Sequence, residues 1–164
     1  MKLAALLEAL PEVQTTGNLP ESIKALEYDS RRIAPGSLFI ALRGAKVDGH
    51  QFAAQAAQRG AVAVVAEESL VLPDTCALLR VPNSREAMAD LAAAFYGQPA
   101  RQIKLLGVTG TNGKTSVAVL LRHLLAASGK HCGLIGTVEY DLGERVVPAA
   151  RATPEALELR TRLA

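Results

Sequence analysis

Near the middle of the chain stand Gly107-Val-Thr-Gly-Thr-Asn-Gly-Lys-Thr115, with three glycines, a lysine and three threonines in nine residues. Glycines let a backbone bend until successive N–H groups converge on one point, and a helix opening there adds its positive end. Gly110 and Gly113 would permit the close approach, Lys114 would neutralise β- and γ-phosphates, and the Thr115 hydroxyl would bind Mg²⁺. The chemistry indicated is phosphate binding. The common pattern GxxxxGK[ST] requires glycine where this chain has Val108, and the nearest glycine is Gly107. The competing reading is a strand-to-helix turn whose glycines serve geometry alone and whose Lys114 is solvated. Three separate needs of a nucleoside triphosphate, met together at one junction, favour the phosphate site. The motif specifies a ligand and not a reaction.

Such a loop must be delivered by a strand and followed by a helix. The run 104–109 reads as a buried strand, 114–128 as a helix stopped by Gly129, and 131–137 as a second strand. Together they predict a parallel, right-handed βαβ unit. Thr153 then offers a hydroxyl cap, Pro154 suits the first helical position and Glu155 the positive helix start, so a last helix is expected. One βαβ unit cannot cover both faces of a parallel sheet, and residues 99–164 read as an incomplete domain. Ahead of it, Leu3, Leu6, Leu7 and Leu10 form the stripe of a short helix ended by Pro11. Short apolar runs predict strands at 23–28, 38–42, 61–66 and 77–81. An Ala-rich helix over 51–59 stops at Gly60, and Asn83 with Glu86 makes a capping box for a helix reaching about residue 96. Gly97-Gln98-Pro99 interrupts the pattern where the charge balance changes, which puts a domain boundary there. The expected fold class is α/β, with a small α/β domain over residues 1–98 and the first βαβ part of a phosphate-loop domain over 99–164.

A chain of 164 residues, 49% hydrophobic and 21% charged, can bury a core, which disfavours disordered, collagen-like and disulfide-scaffold classes. Cys76 and Cys132 have no CxxC spacing or clustered histidine, so no zinc or disulfide framework is indicated, and both read as small buried hydrophobes. No apolar run reaches the roughly 18 residues of a membrane span, and 1–10 is no leader, which gives a cytoplasmic expectation. Residues 1–100 carry 9 basic and 11 acidic side chains, whereas 101–164 carry 9 and 5, making the second part the expected phosphate handler. Six aromatics, no Trp and a net charge of only +2 argue against nucleic-acid binding.

The loop from Thr109 to Thr115, with Val108 before it, resembles the ATP loop of the Mur ligase family, in which the valine is a family mark. The first domain resembles that family independently. Tyr28-Asp-Ser-Arg31, Pro35-Gly-Ser-Leu-Phe-Ile-Ala41, Asp48-Gly-His50 and Phe52 are similar to its N-terminal UDP-sugar domain. With Gly136-Thr137 and Thr153-Pro154-Glu155 added, the pattern is most similar to the members that attach the third peptide residue to UDP-N-acetylmuramoyl-L-alanyl-D-glutamate. Members that attach D-alanyl-D-alanine share the first domain, but their loop more often reads Gly-Ser-Ser/Asn-Gly-Lys.

The resemblance implies roles. Tyr28 and Ser30 would contact the UDP-muramoyl substrate, Ala45, Lys46 and Val47 would line its uridine end, and Arg151, Ala152 and Thr153 would meet its sugar-peptide part. Relatives commonly show Asn-Thr-Thr or Thr-Thr-Pro there, so Arg151-Ala152 lacks a hydroxyl and an amide. Gly110, Thr111, Asn112, Gly113, Lys114, Thr115 and Ser116 would wrap the ATP phosphates, with Lys114 catalytic and Thr115 the metal-binding hydroxyl. The family reaction joins a carboxylate to an amine by way of an acyl phosphate. Its implied cofactors are ATP and Mg²⁺, its substrates a UDP-N-acetylmuramoyl-dipeptide and a diamino acid, and its state monomeric. Because family members are longer, three-domain chains, this one is expected to be an N-terminal portion that does not ligate alone. Simpler readings stand beside these: Asp29-Ser-Arg31 as an Asx turn, His50 as a loop residue without catalytic role, Lys46 as solvated and Thr153 as a plain cap. Two other classes also stay open. A small-molecule kinase would turn over ATP without any UDP-sugar, and a binding module would hold a UDP-sugar without consuming ATP.

Overall fold

The computed structural model describes residues 1–44, 47–141, 146–148 and 155–163. They form two units, Met1–Pro99 and Ala100–Leu163. In the first unit the elements are α1 (Leu3–Leu7), β1 (Gln14–Thr16), β2 (Ala25–Glu27), β3 (Ser37–Ile40), α2 (Ala53–Gln58), β4 (Ala61–Ala66), β5 (Ala77–Arg80) and α3 (Ser84–Phe95). They build a sheet of order β1-β5-β4-β3-β2, parallel from β5 to β2 and closed at its other edge by antiparallel β1. The apolar runs become strands because both sheet faces are covered, so no position needs a polar side chain. Phe39, Val64, Ala66 and Leu78 pack on Ala53 and Ala56 of α2. Their alternates Leu38, Ile40, Val65 and Leu79 face the other way and are equally buried. That leaves α1 and α3, which touch each other, to cover the second face with Leu3, Leu6, Met88 and Leu91. Edge strand β1, Gln-Thr-Thr with every residue exposed, has no hydrophobic signal and exists by pairing with β5.

Local chemistry sets the helix ends. The expected helix over 51–59 begins instead as a 3₁₀ turn, Gly49–Phe52, capped by Asp48, and becomes α-helical only at Ala53. Asn83 caps α3 by accepting from the Arg85 and Glu86 N–H groups, while the Glu86 carboxylate accepts from the Asn83 side-chain amide rather than from its backbone. At the other end Gly97, with φ +70°, lets the Gln98 N–H donate to Ala93 O and the Gly97 N–H donate to Ala94 O. This pair of bonds is the Schellman termination.

The second unit contains α4 (Lys114–Ala127), β6 (Leu134–Ile135), β7 (Glu139–Asp141), β8 (Val146–Pro148) and α5 (Ala156–Leu163). Helix α4 ends as the sequence predicts, with Gly129 at φ +78° and the Lys130 N–H donating to Leu125 O. The predicted βαβ unit is not formed among the described residues. Residues 104–109 belong to no strand, and β6, much shorter than 131–137, pairs antiparallel with β7, which pairs antiparallel with β8. The reason is pairing. An apolar run becomes a strand only beside a neighbour; Leu105 and Leu106 are exposed instead, and β6 takes the nearby partner that closes the shorter loop. Arg122 of α4 forms an ion pair with buried Asp141 of β7. Cys76 is buried as expected, and burial pushes its thiol up to about 11, whereas Cys132 is only partly covered. Among the described residues no helix is long and apolar enough to cross a membrane.

Candidate functional site

Two helix starts at apolar–polar junctions are treated differently by the chain. At α3 the N-terminal N–H groups are satisfied internally, since Asn83 caps two of them and a Glu67 carboxylate oxygen accepts from Ser84 N–H at 3.0 Å. At α4 the capping position is Gly113, in the left-handed region at φ +78°, and no side chain caps the helix. The N–H groups of Lys114, Thr115 and Ser116 precede the first intrahelical bond, which runs from Val117 N–H to Gly113 O at 2.9 Å. Gly110 adopts φ +150°, and residues 109–117 are all exposed. A side chain at Gly113 would strain this turn, so the glycine is a conformational requirement there. Lys114 folds back over the loop, its Nζ donating to Gly110 O at 2.5 Å and to Thr111 O at 3.3 Å. An uncapped helix start with an ammonium held over it suits an anion with several oxygens, and Thr115, in the same first turn, is exposed to a metal carried by that anion.

In the first unit the carboxyl ends of adjacent parallel strands gather the other expected residues. Such edges are where open α/β sheets hold ligands. Tyr28 and Ser30 follow β2, and Val47, half exposed, follows β3. Asp29 makes the expected Asx bond, its Oδ1 accepting from Arg31 N–H at 3.0 Å, and its carboxylate also takes three bonds from the Arg31 guanidinium. Those side-chain bonds, above all, hold the Asp29 carboxyl down at about 2. Ser30 is buried, with its hydroxyl donating to Gln55 Oε1 at 3.4 Å and its carbonyl accepting from Arg59. In this state its side chain serves the α2 contact. Ala45, Lys46, Arg151, Ala152 and Thr153 lie outside the described residues.

Sequence reasoning passed over a polar cluster at the same edge. His50 is buried; its Nδ1 lies 2.6 Å from Asp48 Oδ1, and its Nε2 accepts from Glu67 N–H at 3.0 Å. Bonds from the His50 backbone and ring lower the Asp48 carboxyl. Arg43 lies among Asp48, Glu67 and Glu68, at 3.8, 3.5 and 3.1 Å. Only Asp48-Gly-His50 is local enough to have signalled the cluster, because Glu67 arrives from another strand.

The chain matches two family descriptions, "Mur ligase family, catalytic domain" over residues 22–96 and "Mur ligase middle domain" over 108–164. It is 51% identical over 162 residues to the UDP-N-acetylmuramoyl-L-alanyl-D-glutamate--2,6-diaminopimelate ligase of Geobacillus thermodenitrificans (strain NG80-2), covering 98% of this chain and 32% of that protein. The ligase of the same name from Geobacillus kaustophilus (strain HTA426) is 49% identical over 160 residues, with the same coverage. A solved structure of a ligase with this name superposes with a TM-score of 0.69 at 26% identity, over 96% of this chain and 32% of that one. The chain spans about a third of the length of these relatives.

Proposed function

Since the chain belongs to the Mur ligase family, we propose that it is the N-terminal portion of an ATP-dependent ligase that joins 2,6-diaminopimelate to UDP-N-acetylmuramoyl-L-alanyl-D-glutamate. The observation that carries this reading is the 51% identity, across nearly the whole chain, to a ligase of that name. In it, residues 1–98 hold the UDP-muramoyl substrate and 99–164 begin the ATP-binding domain. Tyr28, Ser30 and the 45–47 segment would face the nucleotide-sugar, and 151–153 its sugar-peptide part. Gly110 to Ser116 would surround the phosphates.

The chemistry asked of this chain is electrostatic. A carboxylate is a poor acyl donor, because its leaving group would be an oxide, and phosphorylation removes that obstacle. Carboxylate and γ-phosphate repel each other, so their approach needs positive groups already aimed at the developing charge. Lys114 supplies a full charge after leaving the Gly110 and Thr111 carbonyls, and the first-turn N–H groups of α4 supply oriented dipoles. Mg²⁺, when bound, would lower the charge on the phosphates, with the exposed Thr115 hydroxyl as its ligand from this chain.

The test is ligation by the full-length protein that contains this chain, given ATP, Mg²⁺ and UDP-N-acetylmuramoyl-L-alanyl-D-glutamate with diaminopimelate. Product with diaminopimelate is expected. Product only from the tripeptide substrate with D-alanyl-D-alanine would assign the protein to the other ligase, and ATP turnover independent of any UDP-sugar would end the proposal.

A further inference from the structure

Arg43 and Gly44 are joined locally to Val47 and Asp48, and this turn is anchored remotely. Its local closure consists of an antiparallel bridge of Arg43 with Asp48, a bond from Gly44 N–H to Val47 O at 3.0 Å, and one from Gly49 N–H to Leu42 O at 2.8 Å. These bonds define the turn but do not tie it to the neighbouring strand. His50 does. Its side chain is 3% exposed, and because Nε2 accepts the Glu67 N–H, the ring proton sits on Nδ1 and is donated to Asp48. One neutral tautomer therefore satisfies both ends at once. Glu67, the first residue after β4, extends the connection, since one carboxylate oxygen accepts from Ser84 N–H at the start of α3 and the other faces Arg43. The ends of β3 and β4 and the beginning of α3 meet at this pair.

We propose that His50, docked on Glu67, is a positioning residue that holds Gly44, Val47 and Asp48 where they meet the nucleotide-sugar. The proposal rests on the reading above, in which Val47 faces that ligand. Gly49 supports it sterically, because a Cβ there would stand 2.6 Å from Leu42 O, so the backbone at the foot of the turn is already at closest approach. Arg43, bracketed by Asp48 of the turn and by Glu67 and Glu68 after β4, adds a solvent-exposed tie beside the buried one of His50 and is not a spare phosphate cation.

The 164-residue chain with His50→Ala, His50→Asn or His50→Gln tests this. Glutamine places an acceptor near the Nε2 position and can keep the Glu67 bond, whereas asparagine reaches only the Nδ1 position. Without ligand, amide exchange at Gly44 and Gly49 should rise about tenfold or more in the Ala and Asn variants and stay within about twofold in the Gln variant, with Leu79 unchanged in all three. Affinity for UDP-N-acetylmuramoyl-L-alanyl-D-glutamate, measured by calorimetry, should fall in the same order, with a loss of about tenfold for Ala and Asn. Unchanged exchange at Gly44 and Gly49 overturns the proposal, as does unchanged affinity in a variant whose turn exchanges faster. A glutamine variant no better than asparagine also overturns it, and this comparison suffices if the alanine variant does not fold. Failure of the unaltered chain to bind the UDP-sugar would instead overturn the reading of the turn as its contact, while the exchange pattern would still decide whether His50 holds the turn.

Discussion

Lys114 and Asp29 illustrate two uses of a charge–oxygen contact. The ammonium of Lys114 rests on two carbonyls that can release it, so the residue is poised to exchange partners. On the proposed function, Lys114→Ala in the full-length protein should lower the ligation rate by about 10²- to 10³-fold, because no other cation stands in the 107–116 loop to take over the contact that reading gives the lysine. Steady-state turnover checks this, and a rate near that of the unaltered enzyme would remove the lysine from the mechanism. Asp29, by contrast, is locked to Arg31. Its folded value of about 2 lies below the ordinary carboxylate value of about 3.9, so the stabilisation it gives is complete above that value and disappears as pH falls through 2. The effect on stability is small, since the Arg31 side chain is 83% exposed. NMR titration should place the Asp29 midpoint at about 2, and Arg31→Gln should return it toward the ordinary value. A midpoint that does not move in the variant would show that Arg31 is not the cause.

At the scale of elements, the same helix pattern yields different burial. Helix α3 buries Ala87, Met88, Leu91 and Ala92 along one stripe, whereas α4, equally apolar in sequence, buries no residue. Leu91→Ala should therefore cost about 2–5 kcal/mol in denaturant unfolding, as expected for a fully buried leucine in a packed core. Leu120→Ala, at a position 62% exposed, should change stability by less than about 0.5 kcal/mol. Comparable losses at both positions would mean that the α4 face is covered in solution. Residues 102–113 lie between the two helices, outside any helix or strand, and they are almost entirely exposed. Trypsin should thus cut first at Lys104 and leave Arg80 and Arg85 intact, since exposed backbone without hydrogen-bonded structure is the preferred site of nicking. Mass spectrometry of the earliest fragments gives the answer, and early cutting at Arg80 in β5 or Arg85 in α3 would contradict the hydrogen-bonded structure described there.

For the whole molecule, the proposal divides labour between a unit that holds a nucleotide-sugar and one that holds phosphates. This chain spans about a third of its relatives, and ligation requires an amine oriented against an activated carboxyl. Orientation of that kind contributes roughly 7–11 kcal/mol to such reactions. The chain alone should accordingly bind UDP-N-acetylmuramoyl-L-alanyl-D-glutamate and release no phosphate from ATP. Calorimetry and a phosphate-release assay with diaminopimelate read the two halves of this expectation, and substrate-dependent phosphate release at ordinary enzymatic rates would show that the chain suffices for catalysis.

Local information in the sequence was enough wherever neighbours along the chain do the work. The apolar runs around Leu38, Val64 and Leu79 became strands, Asn83 capped α3, and Gly97 and Gly129 ended their helices, because propensity, capping and left-handed glycines act within a few residues. The loop's glycines and Lys114 were legible for the same reason. Tertiary structure decided what depends on a partner far along the chain. The polar segment 14–16 became an edge strand on β5, while the apolar segment 104–109 did not become a strand at all, since pairing and not hydrophobicity makes a ladder. Ser30 turned toward Gln55, and His50 found Glu67 seventeen residues away. Hydrogen bonds of this kind join side chains that only the packed sheet brings together, and no spacing in the sequence encodes them.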